Sequence, residues 1–147
     1  MNIEIRALRR DERPDWEPLW RGYLDFYKTT LSQQTYDATW ARLHDPNEPM
    51  WALGATADGK LRGIVHFLYH RSCWTVGDYC YLQDLFVAPD ARKLGLGRAL
   101  IEAVYRRAQA DGASRVHWLT HETNATARAL YDTLADRPGF IQYRKVF

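Results

Sequence analysis

Six residues with an anion-binding pattern, Arg92–Gly97, lie between a hydrophobic segment, Tyr79–Val87, and a long amphipathic segment that predicts a helix. Gly95 and Gly97 allow the backbone to turn tightly, so that several free N–H groups point at one spot. The dipole of the following helix favours negative charge at the same place. This combination predicts a binding site for a phosphate-bearing ligand.

Two further polar side chains, Asn124 and Tyr131, follow the next predicted strand and are seven residues apart. Seven residues make nearly two helical turns, so both side chains lie on one helix face. Beside Ala127 and Leu130, Tyr131 is also typical of a tyrosine that simply packs against a core.

The hydrophobic periodicity predicts the elements that must position these residues. Strand patterns fall on 3–8, 50–57, 61–69, 79–87, 115–120 and 140–147, and helical patterns on 15–27, 32–45, 98–110 and 124–134. Asp15 is a candidate N-cap, the second helix is expected to start near Ser32, and Asp58-Gly59 predicts a hairpin turn. The order is an antiparallel meander, then a βαβ unit, a helix and a closing strand, which predicts an α+β fold.

The composition is that of one ordinary globular domain: 147 residues, 46% hydrophobic, 26% charged and a net charge of +2. A charge this small does not indicate an obligatory nucleic-acid partner. No apolar run reaches the roughly 20 residues that span a bilayer, and the N-terminus lacks a signal-peptide pattern. We therefore expect a cytoplasmic protein without membrane partners, in which Cys73 and Cys80 are free thiols.

Histidines occur in two pairs with a spacing of four residues, His66 with His70 and His117 with His121. On a strand this spacing separates two side chains by ~13 Å, too far for one metal ion. We predict no metal site, and His121 is the histidine least securely assigned to a structural role.

Three segments, Tyr81–Pro89, Arg92–Ile101 and Asn124–Tyr131, together resemble the GNAT superfamily of acetyl-CoA-dependent N-acetyltransferases. They cover the C-terminal half and look closest to the branch with polyamine and histone-type enzymes. The resemblance implies a mostly antiparallel twisted sheet of about six to seven strands with about four helices. It also implies acetyl-CoA as cosubstrate, a small-molecule or peptide amine as acceptor, and a homodimer.

The resemblance also implies roles for individual residues. It assigns acetyl-CoA binding to Leu85, Phe86, Val87, Arg92, Lys93, Leu94, Gly95, Leu96, Gly97, Arg98 and Asn124. A backbone N–H, such as that of Leu85, would stabilise the oxygen of the tetrahedral intermediate. Tyr131 occupies the position of the general acid: a phenol can protonate the thiolate that leaves when an amine attacks a thioester.

Gln83 departs from the family pattern, because polyamine-type relatives tend to carry Glu there, and an amide cannot accept a proton from an ammonium group. Asp84 is adjacent, but successive strand residues face opposite sides, so a regular strand points it away from Gln83. Four alternatives stay open: a water chain held by Gln83, Asp84 re-aimed by a bulge, a histidine, or an amine of low pKa. A catalytically silent acyl-CoA sensor is a further alternative.

The acceptor side is less specific in the sequence. Trp20, Tyr23 and Tyr27 form a helical stripe that is more often core than binding surface. In the family the first two helices wall the acceptor pocket, so one or two of these rings are candidates for contacting substrate. The acceptor itself stays open among polyamines, amino acids, protein lysines and aminoglycosides.

Overall fold

The fold is a single five-stranded sheet with helices on both faces, seen in a computed structural model that describes residues 1–147. The strands are β1 (Ile3–Ala7), β2 (Met50–Ala57), β3 (Lys60–His70), β4 (Tyr79–Val87) and β5 (Arg115–His117), and the helices are α1 (Arg13–Phe26), α2 (Gln33–Leu43), α3 (Leu96–Ala110) and α4 (Ala125–Tyr131). Short 3₁₀ turns at Arg10–Glu12 and Pro89–Ala91 precede α1 and α3.

The strands lie in the order β1-β2-β3-β4-β5, so each is a neighbour of the next along the chain. The first three pairs are antiparallel, whereas β4 and β5 are parallel and joined through α3. The predicted meander followed by a βαβ unit is confirmed. The architecture is mixed α/β, with a mostly antiparallel sheet and four helices.

Local signals fix several boundaries. The second helix starts at Gln33, next to the predicted start at Ser32, and the Ser32 hydroxyl caps it by accepting a hydrogen bond from the Thr35 N–H at 3.2 Å. Asp58 and Gly59 both have positive φ, 49° and 83°, as a two-residue hairpin turn requires. Asp15 is not an N-cap, because a 3₁₀ turn starts the helical segment earlier and leaves Asp15 inside the first turn of α1.

Opposite faces of the sheet carry different helices. The Trp16 ring of α1 lies against His66 of β3, whereas Leu100 of α3 lies against Gly63, three residues earlier in the same strand. Residues an odd number apart on a strand face opposite sides, so α1 and α3 sandwich the sheet. Burial of apolar side chains in these two layers supplies the main driving force for the fold.

The predicted last strand, 140–147, is wrong, and the sheet has five strands rather than six to seven. Residues 136–147 take part in none of the hydrogen bonds or ion pairs within the chain. A strand needs a partner for its backbone groups, and β5 is only three residues long, which leaves little ladder to extend. None of the helices is long and apolar enough to cross a bilayer.

Candidate active site

The loop before α3 presents an unbroken row of unpaired backbone donors. From Arg92 through Arg98, no N–H group makes a hydrogen bond within the chain, and the first bonded amide is that of Ala99. Lys93 and Gly95 adopt left-handed backbone conformations, with φ of 72° and 78°, which produces the tight turn into α3. Seven free donors at a helix N-terminus fit a diphosphate group well.

Basic side chains border this loop, and two of them already make hydrogen bonds within the chain. The Arg92 guanidinium donates to the Val87 carbonyl oxygen at 3.3 Å and lies 5.8 Å from the centre of the Phe86 ring. Arg98 donates to the Thr133 hydroxyl at 2.9 Å, whereas the Lys93 ammonium has no partner in the chain. The positive charges add to the attraction of the backbone amides for an anion.

A cavity of about 600 Å³ continues from this loop. Its lining contains Tyr23, Phe26, Tyr27, Leu85, Phe86, Val87, Ala91, Arg92, Lys93, Gly95, Leu96, Gly97, Arg98, Asn124, Thr126, Ala127, Leu130 and Tyr131. The structure therefore brings together every residue that the sequence assigned to acetyl-CoA except Leu94. Leu94 does not line the cavity: its side chain packs against the hydrophobic core, and its backbone N–H is unpaired like the others of the loop.

The cavity follows a split in the sheet. β5 pairs with β4 only at Tyr79–Tyr81, so residues 82–87 of β4 have no strand partner on that side. Backbone groups at this open edge are available to an extended ligand, in the way that a strand edge accepts another strand. Leu85–Val87 line the cavity along this edge.

Tyr131 lies at the end of α4, in the same cavity as Asn124. Burial, with a smaller contribution from Tyr27, raises the pKa of Tyr131 to about 12. Its ring packs edge-on against Trp118 with centroids 5.4 Å apart. The phenol therefore keeps its proton throughout the neutral range, as a general acid must.

A β-bulge decides which polar residue of β4 faces α1. Leu82 pairs with Phe67 and Asp84 with His66, so Gln83 is an extra residue that has no partner in β3. Gln83 is exposed, whereas Asp84 occupies the place opposite His66 that a regular strand gives to Gln83. A regular strand would point Asp84 away from the site. The structure instead has the bulge that the sequence left open as an alternative, and this bulge places Asp84 opposite His66.

Three tyrosines surround the Asp84 carboxyl group. Burial raises the pKa of Tyr23 strongly, and the nearby charge of Asp84 raises it further. Burial and the same nearby charge also raise the pKa values of Tyr27 and Tyr81. Since Tyr23 and Tyr27 line the cavity, Asp84 lies directly behind its wall with a side chain that is 14% exposed.

Trp20 does not belong to this pocket. Its ring is only 7% exposed and stacks between Trp16 and Tyr23, with centroids 6.4 and 5.0 Å away. The helical stripe therefore divides: Trp20 packs in the core, whereas Tyr23 and Tyr27 reach the cavity. Tyr23 and Tyr27 follow Trp20 by three and seven residues along α1, so one stripe runs from the core to the cavity.

Two residues of the site were missed from sequence. The first is His66, whose Nδ1 lies 3.1 Å from Asp84 Oδ2. The second is Tyr81, which lies near the same carboxyl group and stacks on His117 with ring centroids 5.1 Å apart. A single histidine or tyrosine in a strand carries no local signal of a role, because its neighbours come from other elements. No group of three or more His, Cys, Asp or Glu side chains is placed to hold a metal ion, and the lack of a metal stays a prediction.

A family model described as the acetyltransferase (GNAT) family matches residues 5–135. The chain belongs to the GNAT family of N-acetyltransferases. It is 34% identical over 145 residues to the D-amino-acid N-acetyltransferase of Saccharomyces cerevisiae, covering 97% of this chain and 90% of that protein. It is also 38% identical over 72 residues to the thialysine N-epsilon-acetyltransferase of Caenorhabditis elegans, covering 49% and 44% of the two chains.

Solved GNAT structures share the fold at lower sequence identity. The aminoglycoside acetyltransferase AAC(6')-Iy, in complex with a bisubstrate analogue that contains CoA, has a TM-score of 0.84 and 19% identity, covering 100% of both chains. At this identity the likeness shows the fold alone. The GNAT neighbour binds a CoA derivative, and the loop, split sheet and cavity described above are the features of this chain that fit such a ligand.

Proposed function

We propose that this chain transfers an acetyl group from acetyl-CoA to a primary amine by direct attack on the thioester, with Tyr131 as general acid. The observation that carries this proposal is a single cavity that joins seven free backbone donors, an open strand edge and a protonated tyrosine. Acetyl-CoA supplies a thioester carbon that an amine can attack.

Donor binding rests mainly on backbone groups. The amides of Arg92–Arg98 bind the diphosphate, while the Lys93 ammonium is free to pair with a further phosphate oxygen. The open edge at Leu85–Val87 binds the amide-bearing arm by strand-like hydrogen bonds. Asn124, on the opposite wall, offers an amide to the same arm.

Acceptor binding rests on Asp84 and the tyrosines around it. An amine reaches the enzyme as an ammonium ion, which a carboxylate and aromatic ring faces both attract. The amine must lose a proton before it attacks, and Asp84 can accept that proton whereas Gln83 cannot. We therefore assign the base to Asp84, reached directly or through the Tyr23 hydroxyl.

The reaction then needs one bond formed and one broken. The amine nitrogen bonds to the carbonyl carbon, the carbon–sulfur bond breaks, and Tyr131 donates its proton to the departing sulfur. The amine nitrogen loses two protons in all: one passes to Asp84 before the attack, and the second is released to solvent as the amide forms. Asp84 then gives up its proton and Tyr131 regains one through solvent, so the net products are the acetylated amine, the CoA thiol and one proton. Because the pKa of Tyr131 is about 12, the phenol is never short of a proton at neutral pH.

Amino acids are the first acceptors to test. The relative that matches nearly the full chain is named for D-amino acids, and a second relative is named for the side-chain amine of thialysine. Polyamines, protein lysines and aminoglycosides complete the panel. We propose that the acceptor is a small amine, because both of these relatives are named for small amines and Asp84 with its neighbouring tyrosines can attract a single ammonium group.

An acceptor panel with purified protein and acetyl-CoA tests the proposal. We expect thiol release that depends on at least one amine and yields the acetylated amine by mass spectrometry. Binding of acetyl-CoA without turnover on any acceptor would instead support a silent sensor. The sequence feature that favoured a sensor was Gln83, and Asp84 now stands opposite His66 in its place.

Two expectations about the whole protein stay proposals. A homodimer is supported by the open edge of β5 and by large apolar side chains exposed near the C-terminus: Phe140, Ile141, Tyr143, Val146 and Phe147. The cytoplasmic location stays a prediction from the sequence.

A further inference from the structure

A buried chain of hydrogen bonds runs from α1 across the sheet to the proposed base. The Trp16 indole N–H donates to His66 Nε2 at 3.0 Å, and His66 Nδ1 lies 3.1 Å from Asp84 Oδ2. Trp16 is fully buried and His66 is 4% exposed. Water cannot compete for these partners, so each bond must be made by protein groups alone.

The chemistry of the indole group decides where the histidine proton sits. An indole nitrogen is a donor only, so His66 Nε2 must present a lone pair to it. The single proton of a neutral ring then lies on Nδ1 and is donated to Asp84 Oδ2. An imidazolium ring would place an N–H against the N–H of Trp16, leaving two buried donors without an acceptor.

The other groups packed around His66 do not alter this assignment. Trp20 meets the imidazole edge-on at 4.9 Å, and its own indole nitrogen has no hydrogen-bond partner. Asp84 from β4 is the one charged group in contact with the imidazole. The tautomer is therefore set from two sides, by a donor on α1 and an acceptor on β4.

We infer that Trp16 and His66 are positioning residues, with Trp16 holding His66 in its neutral Nδ1–H form so that His66 orients Asp84 and cannot itself serve as the base. This inference rests on the proposed function for its kinetic consequence. It excludes His66 as the histidine base that the sequence left open. The proton from the amine therefore goes to Asp84 and is not passed on to His66. It also explains why a buried polar pair lies among the aromatic side chains of the core.

Nitrogen NMR of the histidine-labelled wild-type protein tests the tautomer without any assay of activity. The imidazole ring nitrogen shifts distinguish the two neutral tautomers and the imidazolium, and His66→Asn identifies which signals belong to His66. We expect the Nδ1–H tautomer at neutral pH. An imidazolium or an Nε2–H tautomer would overturn the inference whether or not the enzyme is active.

Trp16→Phe then tests the link to catalysis, because phenylalanine fills most of the space but has no donor. We expect the His66 ring signals to change and kcat to fall roughly tenfold, the factor that matches one buried hydrogen bond, with an unchanged KM for acetyl-CoA. Trp40→Phe is the matched control, since Trp40 packs 4.8 Å from Trp16 and makes no bond to His66.

Two variants of His66 distinguish a positioning role from a role in packing alone. His66→Asn keeps an N–H near the Nδ1 position and should retain more activity than His66→Phe, which keeps only a ring. Equal losses in the two variants would overturn the positioning role. If the wild-type protein shows the expected tautomer but acetylates no amine, the proposed function fails while the hydrogen-bond assignment stands.

Discussion

Tyr131 combines two properties that its proposed role requires: it lines the cavity beside Asn124, and burial holds its proton in place. A phenol with a pKa of about 12 loses its proton only as the pH rises through that value. Throughout the range in which enzymes are assayed, the group is therefore present in the form that can donate. In the proposed mechanism, Tyr131 contributes a hydrogen bond to the leaving sulfur and then transfers its proton to it.

Tyr131→Phe keeps the ring and its contact with Trp118 but removes the proton. We expect acetyl-CoA binding to be retained and kcat to fall at least about tenfold, as for loss of a general acid. The wild-type rate, corrected for the fraction of free amine, should show no alkaline decline up to about pH 10. An unchanged rate in the variant would remove Tyr131 from the mechanism.

Asp84→Asn tests the base at the residue scale. The variant keeps a side chain of the same shape opposite His66 but cannot accept the ammonium proton, so we expect a loss of kcat of roughly 100-fold. Steady-state kinetics with an amine of high pKa measure it best. Gln83→Ala is the matched control, because the exposed Gln83 side chain has no partner, and it should leave the rate nearly unchanged.

At the scale of elements, the loop Arg92–Arg98 and the start of α3 act as one unit. The loop can direct its amides at one point because Lys93 and Gly95 take up positive φ. A Cβ atom at Gly95 would meet no other atom within 4 Å, so glycine is favoured at this position by its positive φ and not by a lack of space. We therefore expect the proposed binding of the diphosphate to depend on the shape of the turn more than on any side chain.

Gly95→Ala should therefore raise the KM for acetyl-CoA severalfold, since alanine at positive φ costs about 1–2 kcal/mol and favours a different turn. Initial-rate kinetics at a saturating amine concentration measure the change. Gly59→Ala is the control: φ is 83°, the Cβ position is equally open, and the turn joins β2 to β3 away from the site. Equal effects of both variants on KM would contradict a specific role for the loop.

The elements that could be predicted from sequence are those whose signals are local. The Asp58-Gly59 turn, the start of α2 near Ser32 and the bounds of β4 all depend on residues within a few positions. The predicted acetyl-CoA loop is likewise one contiguous segment, and all of its residues except Leu94 line the cavity.

What could not be predicted depends on partners far along the chain. Asp84 takes its place because β4 pairs with β3 around an extra residue, and its partner His66 is 18 positions earlier. The pattern of residues 140–147 favours a strand, but alternating apolar residues do not show which edge would accept them. Trp20 and Tyr23 share one helical stripe, and only the packed helix separates core from pocket.

At the scale of the whole molecule, two features have no partner within the chain: the outer edge of β5 and the exposed apolar residues of the C-terminal segment 140–147. An open strand edge and an unpaired segment of β-forming residues are each prone to pair with another chain. In a homodimer each segment would meet the partner subunit, which removes both features at once.

Tyr143→Pro tests this pairing, because proline lacks the backbone N–H that a strand ladder needs. We expect the wild-type protein to be a dimer by light scattering and Tyr143→Pro to shift it towards monomer. Tyr143→Ser, which keeps the N–H, should stay more dimeric than the proline variant. A wild-type protein that is monomeric at all accessible concentrations would contradict the proposal.

The bulge at Gln83 also sets the width of the cleft. A bulge bends its strand and increases the local twist, and β4 loses contact with β5 just before this point, after Tyr81. Deleting Gln83 would leave Asp84 opposite His66 yet straighten β4, so that β5 could follow it further and close the slot beside Leu85. In the proposed site, the space for acetyl-CoA between β4 and β5 would then depend on the presence of one additional residue in β4 and not on the chemical type of that residue.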